Sequence, residues 1–153
     1  ILWYRLPGVL AVAALLVYAA LVLSLFKLIP VTLTAAGIAG FVLSVGMAVD
    51  ANLLIFVRMK EELRLGRDLE AAVEEGFGRA WTSIRDSNIS SLITAVILYW
   101  LGTSMVKGFA FTLGIGVLVS MFSAISVSRT FLRAVLARNL KRRRWLFLSG
   151  VTT

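Results

Sequence analysis

The chain has 153 residues, 59% of them hydrophobic, and a mean hydropathy of +0.92. Its apolar share, with glycine added and tyrosine dropped, is about two-thirds, against about 45–50% in a soluble domain, so a water-soluble globule is excluded and a membrane protein is expected. The net charge is +8, and neither Cys nor His occurs; this removes thiol and Ser-His-Asp chemistry, disulfides and the usual zinc and haem ligands, so no enzyme activity, cofactor or metal is expected.

Ile1, Leu2, Trp3 and Tyr4 read as the end of a preceding span, with Trp3 and Tyr4 at the interface. The sequence opens in mid-hydrophobic stretch without an initiator Met or a signal peptide, and is expected to be a piece of a longer chain. Four charge-free windows follow, at 6–26, 28–49, 87–106 and 108–128. Each approaches the roughly 20 residues a helix needs to cross a hydrocarbon core about 30 Å thick. The prediction is an all-α polytopic transmembrane bundle over 1–138, with spans at 7–29, 31–57, 84–103 and 107–130, an amphipathic cytoplasmic segment at 58–83, and a basic tail at 139–153.

Span one accepts Pro7 in its first turn and is stopped by Pro30; its Ala/Leu/Val body faces lipid in part and carries no chemistry. Span two has small residues every four positions, Ala36, Gly40, Ser44 and Ala48. Such rows let helix backbones approach closely in lipid. Span four repeats the device with Gly108, Thr112, Gly116, Ser120, Ala124 and Ser128, which makes it a central packing element. Ordinary bundle packing accounts for both rows.

Between them, span two is expected to run on through Arg58, end near Gly66 and hand over to a short helix that Asp68 can cap. Leu69, Val73, Phe77 and Trp81 fall four apart, with Glu70, Glu74 and Glu75 elsewhere on the helix, as in an interfacial or docking helix. Seven of the eight acidic residues lie in this loop and its junction with span three, where the plain reading is a solvated element. From Arg129 to Arg144 lie seven basic residues and no acid, and the segment is expected to leave span four as a basic helix suited to anionic lipid. Fourteen basic residues thus fall on one side, against Lys27 and Lys107 on the other, which by the positive-inside rule makes Arg5, the central loop and the C terminus cytoplasmic. The basic charge is explained by topology, and no nucleic-acid partner is expected.

The eighth acid, Asp50, is out of place. A continuous helix puts it about 12 Å deeper than Arg58. An intramembrane carboxylate costs a few kcal/mol and is functional by default; burial favours its protonated form, and water or a cation the charged one. Such a group can take up and release a proton. A buried, protonated or bonded Asp that serves packing alone is the other reading. Polar partners stand on span three, where Asn88, Ser91 and Thr94, with Ser87 and Ser90, form a stripe whose mouth Arg85 and Asp86 mark. Asp86 has a simple role as an acid at a helix N terminus, and Arg85 as a side chain snorkelling to the interface. No nucleotide-binding loop is present, so the energy source left is an ion gradient.

The run Gly37-Ile-Ala-Gly40 followed by Val45-Gly-Met-Ala-Val-Asp50-Ala-Asn-Leu-Leu-Ile-Phe56 resembles the signature of the SecD family. Gly76-Phe77, Ser83-Ile-Arg-Asp-Ser-Asn88, and Val106-Lys-Gly-Phe-Ala110 with Thr112-Leu-Gly114 follow in the expected order. The resemblance implies membership of the resistance-nodulation-division superfamily, a pseudo-symmetric SecF half fused or separate, a large periplasmic domain and first span outside this chain, and a bacterial inner-membrane location. It also implies use of the proton-motive force to help pull preproteins through the SecYEG translocon after export driven by SecA. Asp50 corresponds to the residue associated with proton passage, and Arg85 aligns with an arginine of the SecF half linked to the same pathway; Asn88 joins them on the polar stripe. The family usually has Glu-Arg after Ile-Phe where this chain has Val57-Arg58, which bears on a cytoplasmic-edge ion pair and leaves Asp50 untouched. Two alternatives stand beside this: a proton-coupled exporter of small molecules, and a scaffold holding translocon subunits together.

Overall fold

A computed structural model describes residues 5–29, 34–128 and 130. The predicted preceding span at 1–4, the Pro30 hairpin and the basic tail lie outside the described residues. Four helices follow one another, α1 Arg5–Leu28, α2 Ala35–Arg64, α3 Leu69–Leu101 and α4 Ser104–Phe122, and a π-helical segment Ser123–Ser128 continues α4. No strand occurs among the described residues, and the architecture is the all-α membrane bundle expected from the composition. By length and apolarity α1, α2 and α4 with its extension qualify as membrane-crossing helices. The α3 helix falls short because the polar stripe from Ser87 to Thr94 occupies its middle.

Local chemistry sets the helix ends. Thr34 caps α2, its Oγ1 accepting the Gly37 N–H at 3.1 Å. At the other end Gly66 adopts φ +83°, a left-handed conformation cheap only for glycine. There the Gly66 N–H donates to Leu63 O at 3.2 Å and the Arg67 N–H to Glu62 O at 3.4 Å, the paired bonds of a Schellman stop. Asp68 holds the N-cap position of α3 in an extended conformation, without a capping bond from its side chain.

The amphipathic run is not a separate short helix. It is the first half of α3, which passes through Gly76 and Gly78 without a break for 33 residues. Neither glycine is at a turn, and no proline intervenes. Leu69, Val73 and Phe77 are buried, with Trp81 packed beside them, against Ile55, Phe56, Met59 and Leu63 of α2. The docking surface of this amphipathic face is therefore α2 itself. At Gly76 a Cβ would stand 2.6 Å from the Met59 amide nitrogen, so the two backbones touch where only glycine fits.

Deeper in the bundle, α2 packs most extensively against α4. A Cβ at Gly40 would meet Thr112 Oγ1 and lie 2.6 Å from Phe109 O, and one at Gly116 would meet Ser44 and lie 3.0 Å from Tyr18 Oη. Thr112 Oγ1 also donates across the interface to Gly37 O at 2.9 Å. The gap left by each small residue is filled by a larger one opposite. Thr112→Val, nearly isosteric, is expected to cost about 0.6 kcal/mol and no more than about 1.7, the range for hydrogen bonds between membrane helices, read as a lowered unfolding temperature in detergent.

The α1 helix presents one seam, Ala14, Tyr18, Val22 and Phe26, with the Tyr18 hydroxyl 2.7 Å from Ser44 Oγ; Leu16 and Leu23 point outward, as expected of a helix facing lipid. Beyond Phe122 the four-residue spacing of small residues no longer marks a single face of an α-helix, because the chain is π-wound there. Ser123 and Ala124 are both buried, and the segment packs against α1.

Candidate functional site

Asp50 stands two helical turns before Arg58 on the face of α2 that also carries Met47, Ala51 and Leu54, the i, i+3, i+4, i+7 positions of one helical stripe. Opposite it, one turn of α3 presents Ile84, Ser87 and Asn88. Together these residues line a cavity of about 180 Å3. Ala51, Ile84 and Asn88 are buried, whereas Asp50 and Ser87 are exposed. The cavity thus has a buried floor ending in an amide, and an open rim bearing the carboxylate.

This placement brings Asp50 and Asn88 together and separates them from Arg85. Arg85 is half-exposed and reaches along its own helix to Asp86, with Nη2 3.0 Å from Oδ1; it does not line the cavity. Asp86 is no helix-terminal acid. The helix begins 17 residues earlier at Leu69, and Asp86 sits in mid-helix as the exposed partner of Arg85. The rest of the stripe is satisfied locally: Ser91 and Thr94 donate to the carbonyls of Ser87 and Ser90, each at 3.0 Å. Bonded to their own helix, these hydroxyls cost little in lipid. Among the packing residues, Gly40, Ser44, Ala48, Thr112, Gly116 and Ser120 are buried and Gly108 is half-buried. Among the described residues no three His, Cys, Asp or Glu side chains converge as a metal site would require.

Sequence reasoning missed Glu62. It was grouped with solvated acids, yet only 1% of it is exposed. Its Oε1 accepts from Arg79 Nη1 of α3 at 2.5 Å, and Oε2 lies 3.0 Å from Arg67 Nε as an ion pair, not an aligned hydrogen bond. Arg67 also approaches Glu75 at 3.4 Å. The signal was present, since Glu62 falls three residues after Met59 and seven after Ile55 and so extends the buried stripe of α2. Nearby, Arg58 Nη1 donates to Glu61 Oε2 at 2.8 Å, and that hydrogen bond holds the Glu61 carboxyl below the usual range. An ion pair therefore stands at this edge although Val57 occupies the position where an acid was expected.

The family model described as the MMPL family matches residues 5–151. The protein translocase subunit SecD of Thermobaculum terrenum is 63% identical over 154 residues, covering 98% of this chain and 30% of that protein. The subunit of the same name from Dehalococcoides mccartyi is 56% identical, covering 96% of this chain and 34% of that protein. A crystal structure of SecDF, a translocon-associated membrane protein from Thermus thermophilus, superposes with a TM-score of 0.85 at 44% identity, covering 90% of this chain and 19% of that one. A second SecDF structure, in a super-membrane-facing form, gives 0.83 at 45% identity, covering 86% and 18%. The chain spans about a third of the length of the curated relatives it matches.

Proposed function

Since the chain belongs to the MMPL family and has the sequence of a SecD-type membrane segment of the resistance-nodulation-division superfamily, we propose that it couples proton passage to protein export. In this reading it is part of a translocase subunit of the bacterial inner membrane, working with a SecF half beside the SecYEG translocon. The central loop and C terminus face the cytoplasm, by the balance of basic residues. The carrying observation is the Asp50 cavity. Asp50 is the one acidic residue within the predicted spans away from their ends, and it sits on an open rim backed by the buried amide of Asn88.

An exposed carboxylate at membrane depth calls for a polar or aqueous covering. A SecF half laid over this face would supply it, enclosing Asp50 between two helix bundles. Protonation would then remove a charge from that seam and deprotonation restore it, biasing the two halves between arrangements. Outside the membrane, a domain beyond this chain would convert the shift into grip and release of a preprotein. Arg85, paired with Asp86 on the outside of α3, would take part only after swinging away from that partner. Anionic lipid would meet the basic tail.

The test is preprotein export into membrane vesicles with and without a proton gradient, comparing the wild-type protein with one in which Asp50 is neutralised. Equal stimulation by the gradient in both would refute the reading. Asn88→Leu makes the cavity floor apolar. It is expected to lower gradient-dependent export severalfold, with the amount of inserted protein unchanged by immunoblot.

A further inference from the structure

Glu62 takes no part in the proton site and yet is the buried charge of the cytoplasmic hairpin. We propose that Glu62, clasped by Arg67 and Arg79, is a positioning residue for the Asp50 cavity, a latch that fixes how α3 crosses α2 and thereby sets the wall that Ile84, Ser87 and Asn88 present to Asp50. This inference rests on the reading of Asp50 as the proton-carrying group.

The chemistry of the position argues against simple space filling. Glu62 continues a stripe made otherwise of Ile55, Phe56, Met59 and Leu63. An apolar side chain there would pack without the desolvation that a buried carboxylate incurs. What the carboxylate adds is direction. Apolar packing is non-directional and tolerates sliding, whereas Glu62 accepts a charge-assisted hydrogen bond from Arg79, nearly three turns into α3, and forms an ion pair with Arg67 in the turn after α2. The Schellman stop at Gly66 fixes where Arg67 leaves the helix, so the clasp has little slack.

A continuous packed block joins the latch to the cavity. Ala51 and Ile84 line the cavity and also belong to the cluster containing Met59, Leu63, Val73, Phe77 and Ala80. In the middle of that block Gly76 rests directly on the Met59 backbone, leaving no side chain to absorb displacement. The twelve residues from Asp50 to Glu62 span about 18 Å of α2. Packed cores switch between discrete arrangements and do not deform continuously, so a loosened hairpin changes the register of α3 at Ser87 and Asn88.

The experiment uses the full-length protein in its native membranes. The reactivity of Asp50 toward a lipid-soluble carbodiimide, which modifies protonated carboxyls in apolar surroundings, is followed by mass spectrometry of its peptide, together with gradient-dependent export and the amount of inserted protein. Glu62→Gln removes the charge and keeps the shape; Glu62→Met fills the space without any latch. Both are expected to slow Asp50 labelling by roughly 2- to 30-fold, the range for residues coupled through a packed network, because a loosened cavity admits water beside the carboxyl and removes the apolar surroundings the reagent requires. Wild-type labelling in both variants overturns the proposal, as does wild-type labelling in the Met variant alone, which would make Glu62 a space filler. If neither variant accumulates, Arg79→Lys, which keeps a cation and loses the planar fork, carries the same test with the same outcomes. Should neutralising Asp50 leave gradient-dependent export intact, the functional reading falls by itself, and carbodiimide labelling still reports whether Glu62 sets the geometry around Asp50.

Discussion

Asp50→Asn is expected to abolish the stimulation of export by a proton gradient while the protein inserts and folds as before. The substitution keeps size and planarity and removes only the titrating proton, and Asp50 makes its contribution from an open rim, so no packed neighbour loses a contact. Stability holds or rises slightly, since the cost of a charge at membrane depth disappears. The effect on coupling is large. One proton falling through 100 mV supplies about 2.3 kcal/mol, which tilts a balanced equilibrium by roughly fiftyfold. An asparagine is neutral in every state and provides no tilt. Export driven by ATP alone should continue at its basal rate. A scaffold, by contrast, would work equally well with asparagine, and an unchanged response to the gradient would favour that alternative.

Gly116→Ala and Gly40→Ala are each expected to cost about 1–3 kcal/mol through overpacking. At Gly116 the new Cβ meets the Cβ of Ser44, which cannot retreat without moving α2, and Tyr18 closes the remaining side; at Gly40 it meets the backbone of α4 at Phe109 O. Larger residues should prevent accumulation altogether. The controls are helical glycines of α2 and α3. Gly46 and Gly78 have open space where a Cβ would go, and alanine there should be neutral or stabilise by up to about 1 kcal/mol through helix propensity. Thermal unfolding of the four variants in detergent separates the groups. If all four behaved alike, glycine content, and not the interlock of α2 with α4, would govern stability.

The features legible in the sequence were those with a local physical cause. Apolar stretches long enough to cross lipid located three of the helices, and Asp50 was conspicuous because one carboxylate among apolar neighbours is rare. The small-residue rows could be read from spacing, although which glycine meets which side chain depends on how the helices cross. What escaped is tertiary. Asp86 looked like a helix-terminal acid because the helix start was placed near it, and the true start at Leu69 depends on burying Leu69, Val73 and Phe77 against α2. Arg85 was placed at the mouth of the polar stripe and linked to the proton pathway only by resemblance, and its pairing with Asp86 is set by which side of α3 docks. Glu62 was read by residue type as solvated, when its position on a buried stripe outweighed its charge.

The π-wound stretch at Ser123–Ser128 gives the chain a phase offset. One residue corresponds to about 100° of rotation in an α-helix, so the π-wound stretch shifts the phase of Ser123–Ser128 relative to the α2-facing row of α4. A single-residue deletion inside this stretch would act as a phase correction: it would restore the four-residue cadence past Phe122, with the composition of the membrane segment almost untouched.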